Sequence, residues 1–308
     1  MTIKQLIVIS GPTASGKTSL SVELAKHFNT CVLSADSRQF YKEVSIGTAK
    51  PSQEEMDGIT HYFIGSHHLT DEVTAAQFER EGLQLLDDLF QKHQVIILTG
   101  GSGMFVDALC NGLDDIPTSR ALREELQQEV DKGNLESLLE ELKAKDPIYF
   151  KQVDQKNPVR VIRAVEVIRL TDKPYSELRK AAPKKRPFKV QRFVIDHERE
   201  SLYNRINLRV DLMMEAGLLD EVKSVISYRH LSSMNTVGYK ELFSYLDGNC
   251  SLEAAVDMIK QNSRRYAKRQ LTWLRRNPDA QWIPFLSTSK MTEQIIEHLR
   301  NTQSWNDS

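Results

Sequence analysis

The segment Gly11-Pro12-Thr13-Ala14-Ser15-Gly16-Lys17-Thr18 constrains this chain more than any other. It satisfies G-x-x-x-x-G-K-[ST] at every fixed position, the pattern of a loop whose backbone N–H groups turn inward around phosphate oxygens. The neighbouring residues agree. The apolar run Leu6-Ile7-Val8-Ile9 reads as a buried parallel strand, and residues 19–28 read as the helix that follows. A strand–loop–helix unit of this kind needs a parallel sheet around it, so an α/β, doubly wound core is expected. The helix N-terminus adds positive potential, Lys17 a point charge, and Thr18 a hydroxyl suited to Mg2+. Thr13 and Ser15 can supplement the cradle. The ligand expected here is phosphorylated, but the loop alone does not say which one it is.

Many P-loop NTPases hold Mg2+ with a second acid at the end of another buried strand. The strand expected at 95–98 ends instead in Thr99-Gly100-Gly101-Ser102-Gly103, without a carboxylate. The first acid after an early strand is Asp36, following Cys31-Val32-Leu33-Ser34-Ala35. Ligands of open α/β sheets bind at the carboxyl ends of strands, which places Asp36 and the 99–103 turn near the phosphate loop. Asp36 can ligate metal there, act as a base, or cap the next turn.

The 308 residues suffice for one large domain or two modest ones, and 40% hydrophobic with 27% charged residues is a globular mixture. Cys31, Cys110 and Cys250 are far apart and form no C-x-x-C pair, which argues against a disulfide framework or a zinc site. No leader pattern opens the chain, and no apolar run approaches the roughly 18 residues of a membrane-spanning helix. A cytoplasmic protein with no membrane partner is expected.

Residues 1–114 read as α/β, with strands near 6–9, 31–35 and 95–98 and helices near 17–28 and 74–92. After Asp114-Asp115-Ile116-Pro117 the chain turns charged and helical over 120–145, 160–170 and 175–180. Pro183-Lys184-Lys185-Arg186-Pro187 reads as a stiff basic link, and residues 191–196 as a strand returning to the sheet. The expected organisation is a P-loop core of 1–114 and 190–308, interrupted by a mostly helical insertion of 115–189. The polar tail, 301–308, is expected to fray.

Net charge is −1, yet 260–276 holds seven basic residues (Lys260, Arg264, Arg265, Lys268, Arg269, Arg275 and Arg276) and no acidic one. At helical spacing they fall within one half-circle, with Tyr266, Ala267, Trp273 and Leu274 opposite. A wholly cationic wet face is suited to a phosphate backbone, with steep salt dependence.

Residues 36–51, Asp-Ser-Arg-Gln-Phe-Tyr-Lys-Glu-Val-Ser-Ile-Gly-Thr-Ala-Lys-Pro, together with the phosphate loop, resemble the tRNA dimethylallyltransferases (tRNA isopentenyltransferases). Four further blocks agree, in family order: Gly100-Gly101-Ser102-Gly103-Met104-Phe105, residues 157–166, Val237-Gly238-Tyr239-Lys240-Glu241, and residues 267–275. Departures are visible. The family usually has Thr and Tyr where this chain has Ser102 and Phe105, and Val where it has Phe40. Phe105 has no hydroxyl, so no polar role is expected of it.

The resemblance implies transfer of a dimethylallyl group from dimethylallyl diphosphate to the exocyclic amine of the adenine 3′ of the anticodon, with Mg2+ and release of pyrophosphate. Gly11 to Thr18 would then hold the departing anion, helped by Arg209 and, as second choice, Arg205. These two lie at i, i+4, where pairing with Asp211 or Glu215 is the alternative. Asp36 would accept the amine proton. Ser37, Arg38, Gln39 and Ser102 would read the base or its neighbours, and the base must leave its stack to reach them. The block containing Lys268, Arg269, Gln270, Thr272, Trp273 and Arg275 is a tRNA-contact region in the family. Arg160 and Arg163 of the insertion, and more weakly Arg123, would contact tRNA too, although they can instead pair with Glu166 and Asp172. The partners expected are the tRNA anticodon stem-loop and dimethylallyl diphosphate, with the protein a monomer. Competing readings are an adenylate isopentenyltransferase, which has no need of the basic helices, a P-loop small-molecule kinase, and an RNA-binding module with a degenerate loop, which the intact Lys17-Thr18 and Asp36 oppose.

Overall fold

The computed structural model describes residues 3–180 and 182–302. Among them, six strands form one sheet: β1 (Gln5–Ser10), β2 (Val32–Ser34), β3 (His61–Tyr62), β4 (Val95–Gly100), β5 (Lys189–Asp196) and β6 (Gln281–Pro284). Their order is β3-β2-β4-β1-β5-β6, and every pairing is parallel. β1 is buried throughout, as a central strand covered on both faces must be. Strand alternation puts Ile7, Ile9, Ile97, Phe193 and Ile195 in one cluster with Leu20 and Leu24 of the P-loop helix (Lys17–His27). Met291, Ile295 and Leu299 of the C-terminal helix (Thr288–Asn301) complete it.

Phe40, Phe78 and Phe105 form an aromatic cluster with ring centroids 5.5–5.6 Å apart. This gives Phe105 an apolar role, consistent with its lack of a hydroxyl. A third cluster joins the helices Arg199–Glu215, Leu218–Ser224, Tyr239–Leu246 and Leu252–Leu274 through Val210, Leu218, Val222, Tyr239, Leu242 and Ile259.

The chain divides into two compact units: residues up to Cys110 with those from Arg186 onward, and Asn111–Lys185. The Lys184 N–H donates to the Asn111 carbonyl at 2.6 Å, joining the two ends of the second unit. Arg186 already belongs to the first. It donates to Glu79 at 2.7 Å and to the Ala108 carbonyl at 2.8 Å, so the basic stretch expected as a stiff link ends in a largely buried ion pair.

The second unit is helical, with Leu126, Leu138, Leu142, Val161, Ile162, Val165 and Ile168 at its centre. The charged run 120–145 is two helices, Arg120–Asp131 and Leu135–Lys145, parted at Gly133 with φ +90. The two-residue β3 and the proline-ended β6 carry too few apolar residues to announce themselves in the sequence. The polar tail expected to fray lies, beyond Thr302, outside the described residues. Among the described residues no helix is long and apolar enough to cross a membrane.

Candidate active site

The register sets the site. β1 and β4 align from Gln5↔Val95 to Ser10↔Gly100, and Ser34 of β2 aligns with Thr99. The phosphate loop, Asp36 and the Gly101–Gly103 turn therefore leave the sheet at one edge, the carboxyl edge where ligands of such sheets bind. Close approach demands glycine here, since a Cβ on Gly100 would lie 2.5 Å from the Ala35 carbonyl oxygen.

The phosphate loop is held open from outside. Ala14 and Gly16 have φ of 62 and 88, the left-handed values that turn successive N–H groups inward. The Ala14 carbonyl accepts from Arg205 Nε at 2.8 Å, and the Ser15 carbonyl from His197 Nε2 at 3.0 Å. Burial holds the His197 imidazole below its ordinary value, so the neutral ring donates that proton. Lys17 Nζ donates to the Gly11 and Pro12 carbonyls at 3.0 and 2.7 Å. Its pKa is brought down to about 8, chiefly by burial; the Asp36 carboxylate opposes the change and Arg209 adds to it. Arg209 is likewise lowered by burial against the attraction of Asp36. Lys17, Asp36 and Arg209 thus share one field, two cations to one anion. Neither Arg205 nor Arg209 is taken up by Asp211, which pairs with Lys260 at 2.6 Å.

Asp36 Oδ1 accepts the Arg38 N–H at 3.1 Å, and Oδ2 faces Gly101. Ser102 Oγ accepts the Ser37 N–H at 3.0 Å and lies 3.0 Å from Ser37 Oγ. Burial, with Asp36 adding to it, pushes the Tyr266 phenol up to about 12. Ser102 thus holds the Ser37 turn and remains half-buried at the strand end. Arg38 donates to the Ser233 carbonyl at 2.9 Å, and Gln39 Nε2 to the Ala49 carbonyl at 2.9 Å.

The basic helix departs from its expected form. Lys260 and Arg264 face the neighbouring helix, through Asp211 and through Asn207 at 2.5 Å. Gln270, expected at the tRNA surface, is buried. Its Oε1 accepts the Thr13 N–H at 2.8 Å and its Nε2 donates to the Gly101 carbonyl at 2.9 Å, tying the phosphate loop to the β4 turn. Trp273, read onto the apolar side, is 37% exposed and donates to Asp107 at 2.8 Å. A Cβ on Gly103 would run into its ring. Lys268, Arg269, Thr272 and Arg275 are exposed.

In the helical unit, Arg163 and Arg123 pair with the fully buried Glu166, while the Arg123 side chain stays 43% exposed. Arg163 donates at 2.7 Å and Arg123 at 3.3 Å, joined by Thr118 Oγ1 and the Ser119 N–H at 2.8 Å each. An ionised carboxylate without water needs these donors, so both arginines have a structural role as counter-charges to Glu166. Asp172 pairs with Lys145 instead, and Arg160 is exposed.

Gln270 is marked in the sequence only as part of the basic block, which gives no sign of its inward role. His197 directly follows a strand end, the one feature that marks it.

A parallel sheet whose carboxyl edge gathers a phosphate loop, a carboxylate and partly buried cations defines a P-loop α/β protein. The IPP transferase family model matches residues 39–277. The chain is 50% identical over 296 residues to tRNA dimethylallyltransferase 1 of Bacteroides thetaiotaomicron, covering 96% of this chain and 95% of that protein. It is 38% identical to the full-length tRNA isopentenylpyrophosphate transferase of Bacillus halodurans, at a TM-score of 0.71 over 97% of this chain and 96% of that one. A eukaryotic dimethylallyltransferase acting on tRNA is 26% identical at a TM-score of 0.82, over 97% of this chain and 79% of that one. This chain belongs to the IPP transferase family. The family model begins after Asp36, whereas the similarity to the Bacteroides thetaiotaomicron protein extends over 96% of the chain.

Proposed function

We infer that this chain transfers a dimethylallyl group from dimethylallyl diphosphate to the exocyclic N6 amine of the adenine 3′ of the anticodon in tRNA, releasing pyrophosphate. It is a prenyltransferase. The observation that carries the site assignment is the convergence of the phosphate loop and Asp36 at the carboxyl edge of the sheet, with Lys17 bonded to the Gly11 and Pro12 carbonyls and Arg205 to the Ala14 carbonyl.

The donor's diphosphate lies in the loop from Gly11 to Thr18, with Arg209 and Arg205 on its flank. Charge builds on the bridging oxygen as the allylic C–O bond breaks, and preorganised donors and cations stabilise it without reorganising. Thr18 is the second residue of the P-loop helix and offers a single hydroxyl ligand. That donor set suits Mg2+, which keeps few protein ligands and completes its shell with phosphate oxygens and water. Bound by Thr18 and the diphosphate, Mg2+ would neutralise the leaving group.

Asp36 accepts a hydrogen bond from the adenine amine and takes its proton as the C–N bond forms. An aromatic amine is a weak nucleophile, so positioning matters as much as basicity. The exposed Lys268, Arg269, Thr272, Trp273, Arg275 and Arg160, with the part-exposed Arg123, are the tRNA contacts of this reading. A cytoplasmic location and a monomeric state belong to the same proposal.

Labelled dimethylallyl diphosphate offered with tRNA, AMP, ADP and ATP in parallel tests the reading, and label in tRNA alone is expected. Asp36→Ala should abolish transfer while leaving the tRNA dissociation constant within about twofold; equal loss of both would make Asp36 structural.

A further inference from the structure

The turn at residues 45–47 is built around a carboxylate from elsewhere in the chain. Glu221, on the helix Leu218–Ser224, accepts the Ser45 and Ile46 N–H groups on Oε2 at 2.7 and 2.8 Å. Its Oε1 accepts the Gly47 N–H at 2.9 Å and the Tyr239 hydroxyl at 2.6 Å. Three successive N–H groups converging on one anion form a nest, here filled by the protein itself. Tyr239 also closes the space around it, since a Cβ on Gly47 would lie 2.6–2.7 Å from its ring. Burial, with Glu221 beside it, raises the Tyr239 phenol far above its ordinary value, so it remains a donor.

The same segment ends at the active site. Ala49 is held at φ +48, a left-handed value uncommon for alanine, and its carbonyl turns toward two site residues. Gln39 Nε2 lies 2.9 Å from that oxygen and 3.4 Å from the Thr48 carbonyl. Arg209 Nη2 lies 3.5 Å from the Ala49 oxygen. A half-buried guanidinium needs acceptors to hold its direction, and this carbonyl is one of them.

We propose that Glu221, with Tyr239, is a positioning residue for transfer: it sets the 45–50 turn so that the Ala49 carbonyl aims Arg209 at the diphosphate and Gln39 beside Asp36. The inference rests on the donor site described above, in which Arg209 contacts diphosphate. Glu221 touches neither substrate and acts through the turn.

The test measures pyrophosphate affinity by calorimetry and steady-state transfer, each normalised to folded protein. Glu221→Gln puts an amide donor where the carboxylate accepts, so the nest cannot close. It is expected to raise the pyrophosphate Kd and the KM for dimethylallyl diphosphate about tenfold, with the tRNA Kd within about twofold. In an Arg209→Ala background the same change should add less than about twofold, because contacts in series do not add. Full additivity in that background, or an unchanged pyrophosphate Kd, would overturn the proposal and leave Glu221 a structural anchor. Should Glu221→Gln fail to fold, Tyr239→Phe removes one donor and keeps the nest; it should show a smaller shift with the same loss of additivity. Pyrophosphate binding needs no prenyl transfer, so a wild-type protein that binds it but transfers nothing would refute the enzymatic reading while still deciding the coupling.

Discussion

Replacing Gln270 by alanine separates a strut from an RNA contact. The side chain is 7% exposed and makes two bonds to backbone, at 2.8 Å to the Thr13 N–H and at 2.9 Å to the Gly101 carbonyl. A net contribution of about 1 kcal/mol per bond sets the lower bound, and a backbone group left dry costs about 1–3 kcal/mol. Both groups lie at the edge of an open site, so water reaches part of the gap and about 2–4 kcal/mol is expected in total. That is a substantial share of a stability of about 5–15 kcal/mol, yet the protein should still fold. At about 2–4 °C per kcal/mol, the melting temperature should fall by roughly 4–16 °C. Scanning calorimetry reads that fall, and titration calorimetry should show weaker pyrophosphate binding, because the phosphate loop has lost its tie to the β4 turn. Gln270→Glu keeps the acceptor for Thr13 but turns an oxygen toward the Gly101 carbonyl. Its defect should ease in acid, where the protonated carboxyl donates. An unchanged melting temperature with a tRNA Kd raised tenfold would refute this reasoning and return Gln270 to the RNA surface.

Other outcomes follow from the same geometry. Lys17, lowered to about 8 by burial, carries its charge below that pH and loses it above, so pyrophosphate affinity should weaken as pH rises through about 8; calorimetry across pH 7–10 should show a steeper fall in the wild type than in Lys17→Ala, where only the ligand's own titration remains. Burial raises the Glu166 carboxyl, but Arg163, the Ser119 N–H and Thr118 outweigh it and hold it below its ordinary 4.5, so its stabilisation is full above 4.5 and lost as pH falls through the lowered value. Arg163→Ala leaves that buried charge short of a partner and should cost about 2–3 kcal/mol in urea unfolding, less than the 3–5 of a fully buried pair because other donors remain; unchanged stability with weaker tRNA binding would restore Arg163 to the RNA surface. Reversing charge at Lys268 and Arg269 should raise the tRNA Kd and flatten its dependence on salt, with little change in pyrophosphate binding; an unchanged slope would make that face merely solvated.

What the sequence alone determined follows from local rules. The phosphate loop is legible from its own residues, because two glycines, a lysine and a flanking strand and helix mark it wherever they occur. Parallel strands at the centre of a sheet must be apolar, so β1, β4 and β5 were legible, and the strand-end rule placed Asp36 beside the loop before any coordinates. Tertiary structure decided the rest, because the partners are distant in sequence and a side chain's role depends on what it meets. Gln270 meets Thr13 across 257 positions and becomes a strut; Arg163 meets the buried Glu166 and becomes its counter-charge. Glu221 meets the N–H groups of residues 45–47, about 175 positions earlier, and becomes their anion. A basic or polar residue on a helix has the same local signature whether it faces RNA, a carboxylate or a backbone turn, and only packing chooses among them.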